Sequence, residues 1–460
     1  MVVRAFALSL VLSVAAAAAP TSTVTFHKDV EPILQRNCQT CHRPGETAPM
    51  SFLSYTDVRP WAKSIREAVS VRKMPPWPAD PHYGKFDNDR SLAQKDIDTV
   101  VAWVDAGAPE GSPTDAPKPV AWTEGWVIGK PDAIIKMPQP IKVQAEGVIE
   151  YQYVIVHTGF TEDKWIQMAE ARPGNRQLVH HIIAFVREPG SKWLAEYPVG
   201  VAFVPDRKGP GRRNRLDGEG GNPNAPEAGD RAQQEAAAMP QGELLQGYAP
   251  GLPPGILRPG QAKLIKAGSD IIFQMHYTAN GTAGDDQSMV GVIFAKEPPK
   301  ERVFTLSATN PKFKIPAGDG NYKVDSDFTF GDQVKLVDML PHMHLRGKDF
   351  EYRLVYPDGT KETLLSVPHY DFNWQLYYYL SQQKDLPKGT KIECTAHFDN
   401  STANKANPDA TKEVSWGDQS WEEMMIGFFD IAIPVGKDPR SVFPRRPAPK
   451  VEAQVKQPNP

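Results

Sequence analysis

The motif that constrains this chain most strongly is Cys38-Gln39-Thr40-Cys41-His42, because it contains two of only three cysteines among 460 residues. Three cysteines cannot build a disulfide scaffold. Two thiols at this spacing can form thioethers to a haem, while the adjacent imidazole binds the iron. A disulfide or redox pair beside a chance histidine is the alternative. The motif therefore predicts a small domain folded around a covalently attached c-type haem.

The residues around this motif, 24–113, have the apolar spacing of helices and form the predicted all-α haem domain. One helix is indicated by apolar residues at i, i+3, i+7 and i+11, namely Val58, Trp61, Ile65 and Val69. A second helix is predicted from Ser91, with Gln94 as its capping-box partner, to near Gly107. Its inward-facing residues are predicted to be Ile97, Val101 and Val104.

The sixth ligand of such a haem is predicted to be a thioether sulfur, which raises the reduction potential. Met74 precedes Pro75 and Pro76, which fix an extended loop. Met50 is the rival, although it lies close after His42 and has a short path to the opposite haem face. Met74 is preferred and Met50 stays open. The segment also resembles the small cytochrome c domains fused to exported bacterial enzymes, in which a Met-Pro-Pro-Trp segment recurs.

The N-terminus, residues 1–20, has the pattern of a secretory signal peptide. Arg4 is followed by an apolar run that ends in alanines before Pro20. An uncleaved membrane anchor is the alternative, but no later segment has the apolar length of a stable membrane span. We therefore expect an exported protein, periplasmic or secreted. A net charge of -3 provides no basic surface for nucleic acid, and that class of partner is set aside.

The remainder of the chain is predicted to be β-rich, because 44 prolines and 35 glycines favour turns and several segments alternate with period two. The clearest predicted strands are Tyr151–Ile155, His180–Val186 and Ile271–Tyr277. The predicted domains and segments are a first all-β domain at 120–300 with an irregular insertion at 205–262, a second all-β domain at 301–435, and a disordered proline-rich tail at 436–460.

Five of the 11 histidines stand in strand-like apolar settings, where an imidazole without a partner is costly. His342 and His344 are two residues apart on a predicted strand, so they share one face and form a chelate. His180 and His181 are adjacent, and joint metal binding by them requires a strand end or a bulge. His276 ends another strand. Imidazoles suit zinc, copper or iron, and a methionine ligand would indicate copper.

The order of these motifs resembles that of the copper type II, ascorbate-dependent monooxygenases, the family of peptidylglycine α-hydroxylating monooxygenase and dopamine β-monooxygenase. That family has a His-His pair, a Gln-x-His-Tyr strand, a His-x-His motif and a Glu-Met strand. The matching segments here are His180-His181, Gln274-Met275-His276-Tyr277, His342-Met343-His344 and Glu422-Glu423-Met424. The resemblance covers about 120–434.

This resemblance implies two jelly-roll β-sandwich domains, whose two copper ions face each other across a solvent cleft. The implied ligands of the electron-storing copper are His180, His181 and His276. The implied ligands of the copper that activates dioxygen, and hence the catalytic residues, are His342, His344 and Met424. Met425 alternates with Met424 and is expected in the sandwich core. His397 is either a support for a metal ligand or a core residue, while His157 and His369 are expected to be structural.

The resulting expectation is an exported monooxygenase that uses O2 to hydroxylate a small-molecule or peptide-like substrate. Ascorbate or a redox protein would donate electrons, which would pass through the haem. A non-catalytic haem/copper electron-transfer or copper-binding protein is the main alternative, and a carbohydrate- or protein-binding module leaves the histidines unexplained. The animal enzymes are disulfide-rich, whereas here only Cys394 remains after the haem pair, as a predicted buried free thiol.

Overall fold

A computed structural model of the protein describes residues 23–46, 48–122, 125–205, 242–417 and 419–444. The predicted signal peptide, most of the predicted insertion and the end of the predicted tail lie outside these residues. The described chain is mostly β-sheet with few helices, and it divides into two compact units. The described parts of 1–44, 50–75 and 92–120 form the helical unit, and those of 45–49, 76–91 and 121–460 form the β unit.

The helical unit has four α-helices and a first turn of π-helix at Phe26–Val30. The α-helices are α1 (Glu31–Asn37), α2 (Tyr55–Val58), α3 (Ala62–Ser70) and α4 (Gln94–Asp105). Helix α3 packs against α4, and the core contains the fully buried Trp103, Phe26 and Leu34. This core is small, because the helices are short and only one face of each is apolar.

The predicted apolar face of the first helix is confirmed only in part. Val58, Ile65 and Val69 are buried, but the Trp61 side chain is 42% exposed. The reason is a 3-10 turn at Arg59–Trp61, which separates α2 from α3 and breaks the periodicity of one continuous helix.

The second predicted helix begins later than the pattern indicated. Helix α4 starts at Gln94 rather than Ser91, and no capping side chain precedes it. The carboxylate of Asp89 accepts the backbone N–H of Ser91 at 2.8 Å, which holds Ser91 in a turn outside the helix. The fully buried positions of α4 are Ile97, Val100 and Trp103, so the inward face is rotated from the predicted one.

The β unit contains 21 strands within the described residues. In chain order they are β1 Ala133–Lys136, β2 Ile141–Val143, β3 Gln152–His157, β4 Lys164–Arg172, β5 Val179–Arg187, β6 Glu243–Tyr248, β7 Gly255–Ile256, β8 Gln261–Ile265, β9 Asp270–Tyr277, β10 Gly284–Asp286, β11 Met289–Phe294, β12 Glu301–Thr309, β13 Lys314–Ile315, β14 Tyr322–Thr329, β15 Val334–His342, β16 Gly347–Val355, β17 Lys361–Val367, β18 Tyr378–Leu386, β19 Lys391–Phe398, β20 Val414–Ser415 and β21 Ile426–Pro434. Strands β3, β5 and β9 confirm the three clearest predicted strands.

One nine-stranded sheet runs through the whole β unit in the order β1-β11-β4-β8-β12-β21-β15-β18, with β7 beside β4. Its two halves are joined where β8 and β12 pair in parallel, with Gln261 opposite Glu301. The sheet β3-β9-β5-β6 shares a core with the first half, and the sheet β14-β19-β16-β17 shares a core with the second half. The β unit is therefore two sandwiches, here called the first and the second sandwich, that share one sheet.

The structure corrects two predicted boundaries. Strands β6 and β7 lie within 205–262, which was predicted to be irregular, and β8 begins there. Strand β6 pairs with β5, and β8 pairs with β4. The part of the predicted tail that the structure describes, 436–444, is ordered, because Val442 and Phe443 are buried in the core of the second sandwich. The prediction of a buried free thiol at Cys394 is confirmed. No helix among the described residues is long and apolar enough to cross a membrane.

Candidate metal centres

Three histidines converge in the first sandwich, and we call His180, His181 and His276 the histidine trio. The Nδ1 atom of His180 lies 3.2 Å from Nδ1 of His181, and Nδ1 of His276 lies 3.3 Å from the same atom. All three ligand atoms lie within 4.8 Å of one another. Two nitrogens held at about 2.1 Å by one tetrahedral ion would be about 3.4 Å apart. The trio therefore has a spacing that suits a metal ion.

A local irregularity of β5 brings the adjacent histidines together. Strands β5 and β9 pair antiparallel, with His181 opposite His276, and the register shifts between Val179 and His181. His180 occupies this shift, so its side chain is not sent to the opposite face as regular strand geometry requires. The structure thus contains the bulge that a joint site for adjacent histidines was predicted to need.

Burial keeps the trio in the neutral form. It lowers the pKa of His276 to about 3, with the charge of His180 adding to the effect. The pKa of His181 lies well below its ordinary value, because of burial and then the charges of the surrounding histidines. Burial also lowers the pKa of His180, against the opposing effects of Asn373 and Asp371. Neutral imidazole is the form that binds a metal.

The second sandwich contributes His342 and His344, which we call the histidine pair. They lie at the end of β15 and just beyond it, with ring centroids 5.2 Å apart. Nδ1 of His342 lies 2.6 Å from Oε1 of Gln375, and Nδ1 of His344 lies 3.1 Å from the backbone oxygen of Glu422. Because both partners are acceptors, each Nδ1 carries the proton and the lone pair remains on Nε2.

Burial also keeps the pair neutral. It lowers the pKa of His342 to about 4, although the Gln375 hydrogen bond acts in the other direction. The pKa of His344 lies well below its ordinary value because of burial and the charge of His342. Two neutral imidazoles with outward lone pairs on Nε2 are suited to bind one ion.

A buried carboxyl group fixes the backbone that carries His344. Oε2 of Glu423 accepts the backbone N–H of His344 at 2.9 Å, and Oε1 accepts that of Arg346 at 2.6 Å. Burial raises the pKa of Glu423 to about 8, although these donors and the Arg346 charge favour the ionised form. The Arg346 side chain continues the network to Asn400 and Trp421. The chain after β15 is thereby held in one position.

The register of the sheet distinguishes the two adjacent methionines. Strands β15 and β21 pair as far as His342 opposite Ile426, and His344 and Met424 each lie two residues beyond this last pair. Directly opposed residues of antiparallel strands point to the same face. Met425 points to the other face, where it is fully buried and accepts the hydroxyl of Ser326 at 3.1 Å. Continued alternation would put Met424 on the face of the pair. Met425 is a core residue as expected.

The ring of Phe372 separates the trio from the pair. Its centroid lies 5.3 Å from His180, 6.2 Å from His276 and 5.9 Å from His344. The charges of the pair also act on His181 of the trio. The resemblance implied a solvent cleft between the two sites, and Phe372, which is 8% exposed, contacts rings of both sets. The loop between β17 and β18 supplies this ring.

The Cys-x-x-Cys-His motif forms a tight turn after α1 in the helical unit. The backbone N–H groups of Cys41 and His42 both donate to the carbonyl of Cys38, at 3.1 and 2.9 Å. The two thiols are not joined by a disulfide, and burial raises the pKa of Cys38 to about 12. The His42 ring stacks on Phe52 at 4.1 Å. Two reduced thiols and an imidazole on one turn fit thioether attachment and ligation of a haem.

The two candidate sixth ligands lie in different surroundings. The backbone of Met50 acts on the ring of His42, and its side chain packs on the helical core. Met74 is half-buried, and its N–H donates to the carbonyl of Ala68 at 3.3 Å. A sixth ligand approaches from the haem face opposite His42, so the position of Met50 beside His42 favours Met74. The assignment stays a prediction.

Five other histidines lie away from these centres. Four of them pair with carboxylates: His27 with Glu31, His82 with Asp80, His157 with Asp270 and His397 with Asp349. The fifth, His369, is exposed. His397 was expected near a metal ligand or in the core, but it lies on the outer face of β19, opposite Asp349 of β16. It supports neither metal centre.

No protein-family model and no curated protein matches this chain. Among solved structures, a structure of infectious bursal disease virus strain Gx is similar at 8% identity, covering 67% of this chain and 74% of that chain, with a TM-score of 0.18. A structure of allantoicase is similar at 8% identity, covering 57% of this chain and 81% of that chain, with a TM-score of 0.15. Likenesses this weak support no conclusion about the fold or the function.

Proposed function

We propose that this protein is an exported copper-dependent monooxygenase, which uses O2 to hydroxylate a C–H bond of a small-molecule or peptide-like substrate. The observation that carries the proposal is the placement of the histidine trio and the histidine pair on two sides of Phe372. One sandwich supplies three converging nitrogens, and the other supplies two nitrogens with a methionine on the same face. Two unlike metal sites close together suit a two-electron oxidation.

The trio would hold one copper ion through Nδ1 atoms, and the pair would hold a second through Nε2 atoms. Met424 would add a thioether at the second site, and thioethers favour Cu(I). When bound, the second copper would activate dioxygen for insertion into the C–H bond, and the first would store and deliver an electron. The two sandwiches would correspond to jelly-roll domains.

The chain's own groups prepare these sites. Gln375 and the Glu422 carbonyl hold the protons of the pair on Nδ1 and orient both rings. Glu423 fixes the backbone of His344. Phe372 packs between the two sets and excludes water from the space that it fills. A water-poor site of fixed geometry suits reactive oxygen chemistry, because side reactions with water are prevented.

The helical unit would carry the haem on Cys38 and Cys41, with His42 and Met74 as its axial ligands. Such a group would pass electrons singly from ascorbate or a redox protein to the copper sites. The support for this role is the Cys38-to-His42 turn and the presence of both units in one chain. The electron route is thus a proposal about the helical unit, separate from the one about the β unit.

The test uses the full-length protein matured with haem and copper. We expect two copper ions and one haem iron per chain by elemental analysis. With ascorbate and ¹⁸O2, mass spectrometry of a panel of amines, amides and peptides should show one labelled oxygen atom in a product. Copper-depleted protein is the control and should give none.

A different metal content or the absence of a labelled product would contradict the monooxygenase proposal. One copper or a zinc ion per chain, or two coppers without any labelled product across the panel, would favour a non-catalytic haem/copper electron-transfer protein. For the electron route, stopped-flow absorption should show faster reoxidation of reduced haem when copper, O2 and a substrate are present. An unchanged rate would remove the haem from the route and leave the copper sites untouched.

A further inference from the structure

A cavity of about 260 Å³, lined by apolar side chains and a few charged groups, lies where the two sandwiches meet, and we call it the junction cavity. Its walls come from β4, β6 and β8 of the first sandwich and from β15, β18 and β21 of the second. It is distinct from the metal centres, because its residue Asp338 precedes His342 by four positions along β15, about 13 Å of extended chain. None of the copper-ligand candidates lines it.

One ion pair in the wall of this cavity is complete. The ammonium of Lys263 donates to the carbonyl of Leu244 at 2.7 Å, to Oδ2 of Asp430 at 3.0 Å and to the hydroxyl of Thr305 at 3.2 Å. Its three donors therefore have three acceptors. The other oxygen of Asp430 accepts the Thr305 hydroxyl at 2.5 Å. Neither Lys263 nor Asp430 needs a ligand.

Asp338 is a buried carboxyl group that this network of hydrogen bonds does not satisfy. It lies directly opposite Asp430 on the paired strands, it is 2% exposed, and it lines the cavity. Within the described residues its Oδ1 atom has no hydrogen-bond partner. Lys263 is a cation whose charge acts on Asp338, and Lys263 is already paired. Two buried carboxyl groups thus share one ammonium, and the cavity lacks one positive charge.

The pKa of Asp338 is raised, as expected for a buried carboxyl group without a cation of its own. Burial, and then the charge of Asp430, raise the pKa of Asp338 well above its ordinary value. Burial therefore favours the protonated carboxyl group while no cation faces it. A cation that entered the cavity would take the place of that proton.

The other residues that line the junction cavity suit an organic cation. Tyr377 and Tyr379 stack with their centroids 5.7 Å apart, and aromatic faces attract ammonium groups. Apolar lining residues include Ile166, Met168, Leu257 and Val337. Arg258 and Asp87 also line the cavity, but they pair with each other at 3.2 Å and add no net charge.

We propose that the junction cavity binds a small organic ammonium ion, whose charged group pairs with the carboxylate of Asp338 and whose carbon chain lies among the tyrosine rings and the apolar wall. One proton leaves Asp338 for each cation that enters, so the charge of the site is balanced. The volume limits the ligand to a small molecule. Because both sandwiches line the cavity, the ligand would link them. This proposal does not depend on copper or on oxygenation.

The test measures binding of n-butylammonium to the full-length holoprotein by isothermal titration calorimetry. We expect one site per chain and, from titrations in buffers of different ionisation enthalpy, about one proton released per ligand. The neutral analogue n-butanol and the inorganic cation K⁺ should each bind at least tenfold more weakly. Equal binding of n-butanol or K⁺, or no binding of n-butylammonium at tens of millimolar, would overturn the proposal.

Variants locate the site. Asp338→Asn has the same shape but cannot become negative, so n-butylammonium should bind at least tenfold more weakly. Asp349→Asn, on the outer face of β16, is the matched control and should bind as the unchanged protein does. Undiminished binding to a folded Asp338→Asn protein would overturn the assignment. If that variant does not fold, Tyr379→Leu must weaken the binding of n-butylammonium more than the binding of n-butanol. Equal weakening of the two affinities would count against the proposal.

Discussion

The trio and the pair use the same side chain in two different ways. In the trio, the Nδ1 atoms themselves converge, with that of His181 within 3.3 Å of the other two. In the pair, each Nδ1 is held by an oxygen of the protein, and the lone pair remains on Nε2. The trio comes from a bulge and a cross-strand neighbour, whereas the pair comes from one strand end and the loops beside it.

The hydrogen bonds of a histidine ring thus determine which of its two nitrogens can bind a metal. The pair is oriented by groups outside itself, so its geometry is preserved without an ion. The rings of the trio face each other's lone pairs, and a metal or a proton must lie between them. We therefore expect the two sites to respond differently to substitutions at the ligands and at their neighbours.

The largest effect is expected from His181→Ala, because His181 is the central ligand of the trio. Elemental analysis should show that the copper content falls from two ions to one per chain, and hydroxylation should be lost. The matched control is His157→Ala, which removes a histidine of the same sandwich that pairs with Asp270 and should keep both ions. Retention of two tightly bound coppers by His181→Ala would contradict a separate trio site.

The adjacent methionines allow a sharper comparison at the pair. Met424→Ile should abolish hydroxylation with little change in thermal stability, because it removes a thioether from the face of the pair. Met425→Ile should retain hydroxylation and cost about 1 kcal/mol of unfolding free energy, since it replaces a core side chain of similar volume. Activity measurements and thermal denaturation check both. The reverse pattern would assign the thioether to Met425.

A smaller effect is expected from Gln375→Leu, which removes the acceptor at Nδ1 of His342. Copper affinity at the pair should fall roughly 10- to 100-fold, because the ring loses its fixed tautomer and orientation. The trio should be unaffected, and Gln144→Leu at an exposed glutamine should change neither site. Competitive titration with a copper chelator measures the two affinities. Equal weakening of both sites would mean that Gln375 stabilises the fold rather than the ligand.

The smallest effect is expected from His397→Ala. This histidine pairs with Asp349 on the outer face of the second sandwich and supports neither centre. Its loss should cost no more than about 1 kcal/mol in chemical denaturation, as for other ion pairs near a surface. Copper content and hydroxylation should stay unchanged. A loss of copper here would show that the outer face is coupled to the pair.

Much of the β unit could be predicted because strand patterns are local. Alternation of apolar residues predicted β3, β5 and β9 almost to the residue. Joint metal binding by His180 and His181 was predicted to need a strand end or a bulge, since a regular strand would separate them, and the register shift lies at that point. The sequence missed β6 because its apolar positions gain their partners only when β5 lies beside it. It also missed the start of α4, where the Asp89 side chain competes for a backbone donor.

The sequence by itself determined which histidines share a strand face and that Cys394 is a buried thiol, because side-chain direction follows from a period of two. Only the tertiary structure decided what surrounds them. Phe372 and Gln375 come from a loop some thirty residues after the pair and carry no metal-binding motif. Asp338 and Asp430 become neighbours only when β15 pairs with β21. Ring tautomers and shared protons depend on such distant partners, since hydrogen bonds and charges act across space and not along the chain.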